Sequence, residues 1–314
     1  MTDVSVVIPA RDAAATLAAT LRAVAAQRFD GAHEVVVVDD RSRDDTAAIA
    51  RAGGARVLQT SGATGPSEAR NLGVRAGAGG LIAFTDADCE PHPDWLARGT
   101  APLRAGADLV QGPILPVPGV DIGPFDRTLR IEGPSPLFET ANLLVTRDAF
   151  ERAGGFRHHA ELPGPGLRGG PSEKSFGEDA LFGWTARRAG AAMAFEPEAV
   201  VYHAVFSRTA GAFVAEHLRR RFFPALVHDV PELRDHLPGR YFLSRRSAAF
   251  DAALLAATGV ALARHPLPAA AALPYAVLAL RARRPRRIVA EVAADAVSCG
   301  ALVAGSLSAR TPVL

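Results

Sequence analysis

Carboxylates at the ends of apolar runs are the first residues in this sequence that could do chemistry. The stretch LIAFTDADCE leaves a run of apolar side chains and sets Asp86 and Asp88 one alanine apart. In extended backbone, residues two apart face the same side. Two like charges held so close raise one pKa unless a cation lies beside them. A hard divalent ion with oxygen ligands would satisfy both. An Asp-rich turn explains the same letters without any ion. A second acidic pair, Asp39 and Asp40, closes EVVVVDD, and a third, Glu178 and Asp179, follows Gly177 in FGEDALFGW. Acids at a helix start also stabilise its dipole with no further role.

The elements that must carry these acids alternate between strand and helix. VSVVIP, EVVVVDD, ARVLQT and LIAFTD read as strands, the first closed by Pro9. Between them, Leu17, Leu21 and Val24 recur at helical spacing, and Asp44 and Asp45 can cap a helix carrying Ile49. PSEARNLGVRAG has Pro66 at its start and Gly77 near its end, as a helix should. Continuous β-branched runs alternating with helices predict an α/β, Rossmann-like fold, a mostly parallel sheet flanked by helices. Ligands on such sheets sit beyond the carboxyl ends of the strands. Asp39, Asp40, Asp86 and Asp88 all fall there, which weighs against the plain turn. No G-x-G-x-x-G follows the first strand and no P-loop occurs, so nucleotide sites of those kinds are excluded. Further on, ETANLLVTRDAFERAGGF reads as strand then helix, and AMAFEP and AVVYHA as strands that leave His203 at a strand end. The Pro/Gly-rich segment between Phe156 and Phe176 reads as a mobile loop, suited to a lid.

The 314 residues are 48% hydrophobic and 22% charged, enough for a substantial core and unlike a disordered chain. The net charge of +2 is unevenly placed. From residue 204 onward there are 15 arginines against 7 acids, and the part before is net acidic. The tail carries two apolar helical stretches, Ala252 to Ala263 and Leu267 to Leu280, and a third from Ile288 to Leu307 containing Glu291 and Asp295. The first two fall short of the roughly 20 residues that span a bilayer. A helical hairpin and an amphipathic helix on an anionic membrane surface are expected, with Arg281, Arg283, Arg284, Arg286 and Arg287 facing phosphates. Packing of these helices on the protein itself is the competing reading. Two cysteines, Cys89 and Cys299, far apart, exclude a disulfide framework and zinc-ligand spacing. The start MTDVSVVIPA has no basic region or long apolar stretch, so the expected location is cytoplasmic, peripheral on the inner face of the membrane.

Taken in order, VSVVIPARD, VVVVDDRSRDDT, GPSEARNLG, FTDADC, TANLLVTRDAFERAGGF and GEDALFGWTARRAG resemble the inverting glycosyltransferases of family 2, with the GT-A fold. The resemblance covers about Val4 to His203. It implies a nucleotide-sugar donor, probed first as a UDP-sugar, and a divalent cation, Mg²⁺ or Mn²⁺. By the same resemblance Pro9, Ala10 and Arg11 line the nucleotide. Asp39 and Asp40 bind ribose and base, with Asp40 favoured for the base, and Arg70 lies near the diphosphate. Asp88 binds the metal, Asp86 holds the ribose or a metal-bound water, and His203 stands where some members place a third ligand. Asp179 matches the base that takes the acceptor's proton, with Glu178 beside it. The chain departs from the family in having Arg11-Asp12 where Tyr-Asn is common and Arg41 where glycine is frequent.

The implied organisation is a glycosyltransferase domain over 1–207, with a nucleotide half 1–111 and an acceptor half 112–207, then a helical, apolar and basic region over 208–314. The basic tail suggests a lipid-linked or cell-envelope acceptor; nothing suggests nucleic acid. Two other functions compete: a nucleotidyltransferase of related fold, and a non-catalytic nucleotide-sugar-binding protein on a membrane surface. PARDAAAT lacks the triphosphate loop the first would want, and the intact Asp86, Asp88 and Asp179 argue against the second.

Overall fold

A computed structural model describes residues 2–157, 176–263, 267–281 and 284–314. The loop expected between Phe156 and Phe176 lies almost wholly outside the described residues, as does Arg283. The chain forms two compact units. The first contains, in order, β1 (Val4–Ala10), α1 (Leu17–Ala25), β2 (His33–Asp39), α2 (Thr46–Ala52), β3 (Arg56–Gln59), α3 (Pro66–Ala76), β4 (Leu81–Phe84), β5 (Cys89–Pro91), α4 (Trp95–Arg104), β6 (Leu109–Gln111), β7 (Ile114–Pro116), β8 (Leu143–Thr146), α5 (Arg147–Ala153), α6 (Glu178–Arg188), β9 (Met193–Phe195) and β10 (Val201–His203).

Among the described residues, seven strands form one sheet in the order β3-β2-β1-β4-β8-β6-β9. β8 alone runs antiparallel to its neighbours, β4 and β6. β1 and β2 are apolar runs because they lie in the middle of a sheet covered on both faces: Val4, Val6, Val7, Ile8, Val36, Val37 and Val38 are fully buried. The register pairs Ala10 with Asp39, so the carboxyl ends of β1 and β2 are level. β4 flanks β1 on the other side. Asp39 and Asp86 therefore leave the sheet on either side of β1, two strand spacings or about 10 Å apart. A small second sheet, β5-β10-β7, sits beyond them, and its antiparallel register sets His203 opposite Cys89.

α3 lies close on β1. A Cβ at Gly73 would stand 2.4 Å from Val7 Cγ1, so only glycine permits this approach. The close packing buries Arg70, one turn earlier on the same helix. Beneath it Phe84, Phe150, Phe156 and Phe182 pack with ring centroids 4.5–6.0 Å apart. The Arg70 guanidinium stacks over Phe156 at 5.6 Å.

The second unit contains α7 (Ala210–Glu216), α8 (Phe223–Asp229), α9 (Arg245–Ala263), α10 (Leu273–Leu280) and α11 (Pro285–Ala309). α9 starts seven residues before the expected stretch, and a 3-10 turn over Leu267–Ala272 precedes α10. Glu291 and Asp295 do not make an outward polar face. Arg246 bridges them at 3.0 and 2.7 Å, and Asp295 is buried. α11, at 25 residues and with a mean hydropathy of 1.7 over its most apolar window, is long and apolar enough to cross a membrane.

Candidate active site

The acids closing β2 are tied down by their own neighbours. Asp39 is 2% exposed; its Oδ1 accepts from Ser42 N at 3.0 Å and its Oδ2 from Gln59 Nε2 at 3.0 Å. Asp40 N donates to Ala10 O at 2.8 Å, which fastens it to the end of β1. Its Oδ1 accepts from Thr60 Oγ1 at 2.7 Å and Thr64 N at 2.9 Å, its Oδ2 from Gly65 N at 2.9 Å, and Arg11 Nη1 stands 3.6 Å from Oδ2. Burial alone would raise this pKa. The hydrogen bonds from Thr60, Thr64 and Gly65 and the Arg11 charge outweigh it and hold the carboxyl below its ordinary value. One acceptor direction on Oδ2 remains, beside Arg11. Both departures from the family pattern fall here. Arg41 has φ +62° and Asp12 φ +48°, the left-handed region that explains a frequent glycine. Arg41 offsets that strain by donating to Thr60 O and Ser61 O at 2.9 and 2.8 Å.

The pair Asp86 and Asp88 does not lie on extended backbone. Cys89 N donates to Asp86 O at 3.2 Å, closing a turn that sends the two carboxylates to different partners. Asp86 Oδ1 lies 3.1 Å from Arg70 Nη2. Arg70 Nη1 also reaches Asp179 Oδ1 at 3.3 Å and Glu178 Oε1 at 3.5 Å. Its Nε is buried without an acceptor. Burial works against the Arg70 charge, but Asp179, Asp86 and Glu178 outweigh it and keep the guanidinium cationic.

Glu178 and Asp179 open α6 after Gly177, whose φ of +74° turns the chain into the helix. Asp179 Oδ2 accepts from Thr140 N at 3.1 Å and Thr140 Oγ1 at 3.0 Å. Burial and the charges of Glu178 and Asp86 exceed the help from Arg70 and Thr140, so the Asp179 pKa is pushed up to about 7. Such a carboxyl is matched to proton transfer near neutral pH.

Asp88 faces His203 across the β5–β10 pair, with Oδ2 3.5 Å from Nε2. His203 Nδ1 lies 2.6 Å from Ala204 O, so that nitrogen is engaged by the backbone and Nε2 is the ring atom turned to the Asp88 carboxylate. Two potential ligand atoms 3.5 Å apart are spaced for a cation that both would bind, since ligands of one ion at about 2.1 Å stand roughly 3.0–3.4 Å from each other. Cys89 Sγ completes a group whose ligand atoms lie within 4.8 Å of one another. Burial and the charges of Asp86 and Asp88 keep the Cys89 thiol protonated, so the hard ligands are Asp88 and His203. Asp86 is not in this group.

Residues 5–157 match the family described as Glycosyl transferase family 2. This part of the chain is a family 2 glycosyltransferase domain. The glycosyltransferase AglE of Haloferax volcanii is 33% identical over 171 residues, covering 50% of this chain and 56% of that one. The chain spans about half the length of the curated relatives it matches. The GT-A fold of the domain is shared with a mannosyltransferase, PcManGT from Pyrobaculum calidifontis, solved with GDP-Man and Mn²⁺. The two superpose with a TM-score of 0.65 at 22% identity, over 96% of this chain and 86% of that one. S. aureus TarS 1-349, solved with UDP, superposes with a TM-score of 0.51 at 17% identity, over 98% and 91%.

Within the glycosyltransferase domain, sequence reasoning missed Thr140, which holds Asp179, and Thr60 and Thr64, which hold Asp40. Their letters carry no chemical signal of their own; only the register and turns bring them to the carboxylates. Cysteine spacing carries no signal for Cys89, because this group forms by strand pairing.

Proposed function

We propose that this protein transfers a sugar from a nucleoside diphosphate donor, a UDP-sugar in the first instance, to an acceptor hydroxyl with inversion at the sugar carbon. The observation that carries the proposal is Asp179: a carboxyl fixed by two hydrogen bonds from Thr140, with its proton affinity raised towards neutral pH. Asp179 takes the acceptor's proton as the acceptor oxygen bonds to the anomeric carbon. The bond from that carbon to the diphosphate oxygen breaks, and its electron pair leaves with the nucleoside diphosphate. Pro9, Ala10 and Arg11 border the nucleotide, the remaining acceptor direction of Asp40 reads an imide N–H of the base, and Asp39 and Asp86 serve the ribose. Arg70 lies between Asp86 and Asp179, so one guanidinium serves both the donor's phosphates and the orientation of the base. A divalent cation, Mg²⁺ or Mn²⁺, held by Asp88 and His203 would offset the charge of the departing diphosphate. The acceptor class is lipid-linked, met at the cytoplasmic face of a membrane.

Thermal melting with UDP-, GDP- and dTDP-sugars, with and without Mn²⁺, tests the donor half of this reading, because a ligand that binds only the folded state raises the midpoint. One donor should raise it, and only with the ion. Asp88→Ala should remove most of that metal-dependent rise and leave the ligand-free midpoint within a few degrees. An undiminished rise in the variant would remove Asp88 from the metal site.

A further inference from the structure

Along α9, α10 and α11 the second unit exposes a row of apolar side chains and engages several polar ones within. Along α11, Val289, Val292, Ala296, Gly300, Val303 and Leu307 recur at helical spacing and are exposed. That strip runs about 27 Å without a polar side chain. The opposite face of α11 carries Glu291, Asp295 and Ser298, which are engaged within the unit. Arg246 pairs with both acids, Tyr275 Oη donates to Asp295 at 2.8 Å, and Arg220 Nη1 donates to Ser298 Oγ at 2.7 Å. A water-soluble surface helix shows the reverse order. α10 repeats the pattern, with Leu273, Val277 and Leu280 exposed at i, i+4 and i+7, and α9 exposes Leu254, Leu255 and Leu262.

Arginines frame this apolar face. Arg281, Arg284 and Arg286 are exposed where α10 gives way to α11, and Arg310 is exposed past the far end of α11. Pro124, Phe125, Arg284, Pro285, Arg286 and Arg287 line a pocket of about 570 Å³ at the α11 start. The 3-10 turn over His217–Phe222 decides how such a face meets a bilayer. A Cβ at Gly305 would lie 2.0 Å from Arg221 O, so this turn packs on the C-terminal half of α11, and Arg219 and Arg221 there are exposed. If α11 crossed the bilayer, Arg220 of this turn, bonded to Ser298 at the middle of α11, would sit at hydrocarbon depth, which is costly. Lying in the plane, the helix buries its apolar strip while arginines at both ends meet lipid phosphates.

We infer that α9, α10 and α11 form a docking face that inserts in the plane of one leaflet of an anionic bilayer, with Arg281, Arg284, Arg286 and Arg310 on the lipid phosphates. The inference extends the membrane location proposed above and is independent of the sugar chemistry, because binding is read without any transfer.

Flotation of the full chain with vesicles tests it. The wild type should float with vesicles containing about a third phosphatidylglycerol at roughly 0.1 M salt. It should float several-fold less with phosphatidylcholine alone or at about 1 M salt, since each basic residue near an anionic surface contributes about 1 kcal/mol, roughly fivefold in binding. Val289→Asp with Val303→Asp and Leu307→Asp should cut flotation at least about tenfold with unchanged thermal melting in water, because all three side chains already face outward. Arg281→Gln with Arg284→Gln and Arg286→Gln should remove the preference for anionic lipid. Val303→Trp, a milder probe, should have its added fluorescence quenched by brominated lipid. Four results overturn the inference: wild type that does not float, an aspartate variant that floats equally, a dimer in lipid-free solution that this variant converts to monomer, or protection of the Arg310 end from protease on the outer side of the vesicle, which means spanning.

Discussion

Arg70 in the first unit and Arg246 in the second each gather carboxylates, but in different proportions. Arg70 faces Asp86, Glu178 and Asp179, three negative charges against one positive. Arg246 faces Glu291 and Asp295; Arg287 donates to Glu291 at 2.7 Å and Tyr275 to Asp295. The second cluster is thus closed: Arg246, Arg287 and the nearby Arg220 fully match its two anions, and a hydroxyl fills a remaining acceptor. The first carries unbalanced negative charge, and burial, with the charges of Glu178 and Asp86 added to it, raises the proton affinity of Asp179. Unbalanced charge at the ends of strands is completed by what binds there, a proton or a cation. Balanced charge between helices is completed by the fold itself and acts as a fastening.

Breaking the open cluster should show most strongly in chemistry. Asp179→Asn preserves size and keeps an acceptor for Thr140, but cannot take a proton at neutral pH. Turnover, followed as nucleoside diphosphate release with a competent acceptor, should fall about two to four orders of magnitude. Donor affinity by calorimetry should hold, and Glu178→Gln should do less harm. Near-normal turnover would remove Asp179 from the role of base. Breaking the closed cluster should show in stability alone. Arg246→Ala strands Glu291 and Asp295. The cost should be about 2–3 kcal/mol, below the roughly 3–5 kcal/mol of a fully buried pair because Arg246 is 30% exposed. Donor-induced melting shifts should be unchanged in that variant.

The open cluster also sets a pH dependence with a definite sign. Asp179 holds its proton to a higher pH in the folded chain than in the unfolded one. Between the ordinary carboxyl value near 4 and about 7, the folded state therefore binds more protons, and stability falls as pH rises through that window. Asp179→Asn has no proton to lose. Its stability relative to wild type should rise from pH 4 to pH 8 by on the order of 1–2 kcal/mol, read from urea midpoints. A difference that stays flat would mean that Arg70 neutralises Asp179 fully.

These contrasts mark where the letters of the sequence suffice. β1, β2 and β4 are legible because a strand buried on both faces must be a continuous apolar run. α3 is legible because Pro66 and Gly77 bracket it. The strand-end position of Asp39, Asp40 and Asp86 follows from those elements. The turn at Asp86–Cys89 is not legible: D-x-D reads as two side chains on one side, and only the hydrogen bond to Asp86 O sends them to Arg70 and His203 separately. β5 and β7 are three residues each, too short for a period to emerge. α11 is legible as an apolar helix, but its inner contacts are not. Its acids are visible in the sequence, whereas their partner Arg246 lies 45 and 49 positions away and draws them inward.

The smallest effect is expected at Arg41, where two opposing terms nearly cancel. A non-glycine residue at φ +62° carries a backbone cost of about 1–2 kcal/mol, which Arg41→Gly removes. The same substitution removes two hydrogen bonds from a charged donor to Thr60 O and Ser61 O, each about 1.5 kcal/mol where enclosed and less here, where the second is exposed. Glycine also adds freedom to the unfolded chain. The net change in stability should stay within about 1 kcal/mol. The segment those bonds hold is the one that presents Thr60 and Thr64 to Asp40, so a loosened segment should appear in donor binding before it appears in melting. A several-fold weaker donor affinity with an unchanged midpoint is the expected result. A loss of stability above about 2 kcal/mol would mean that Arg41 fastens the nucleotide rim as firmly as Arg246 fastens the helices of the second unit.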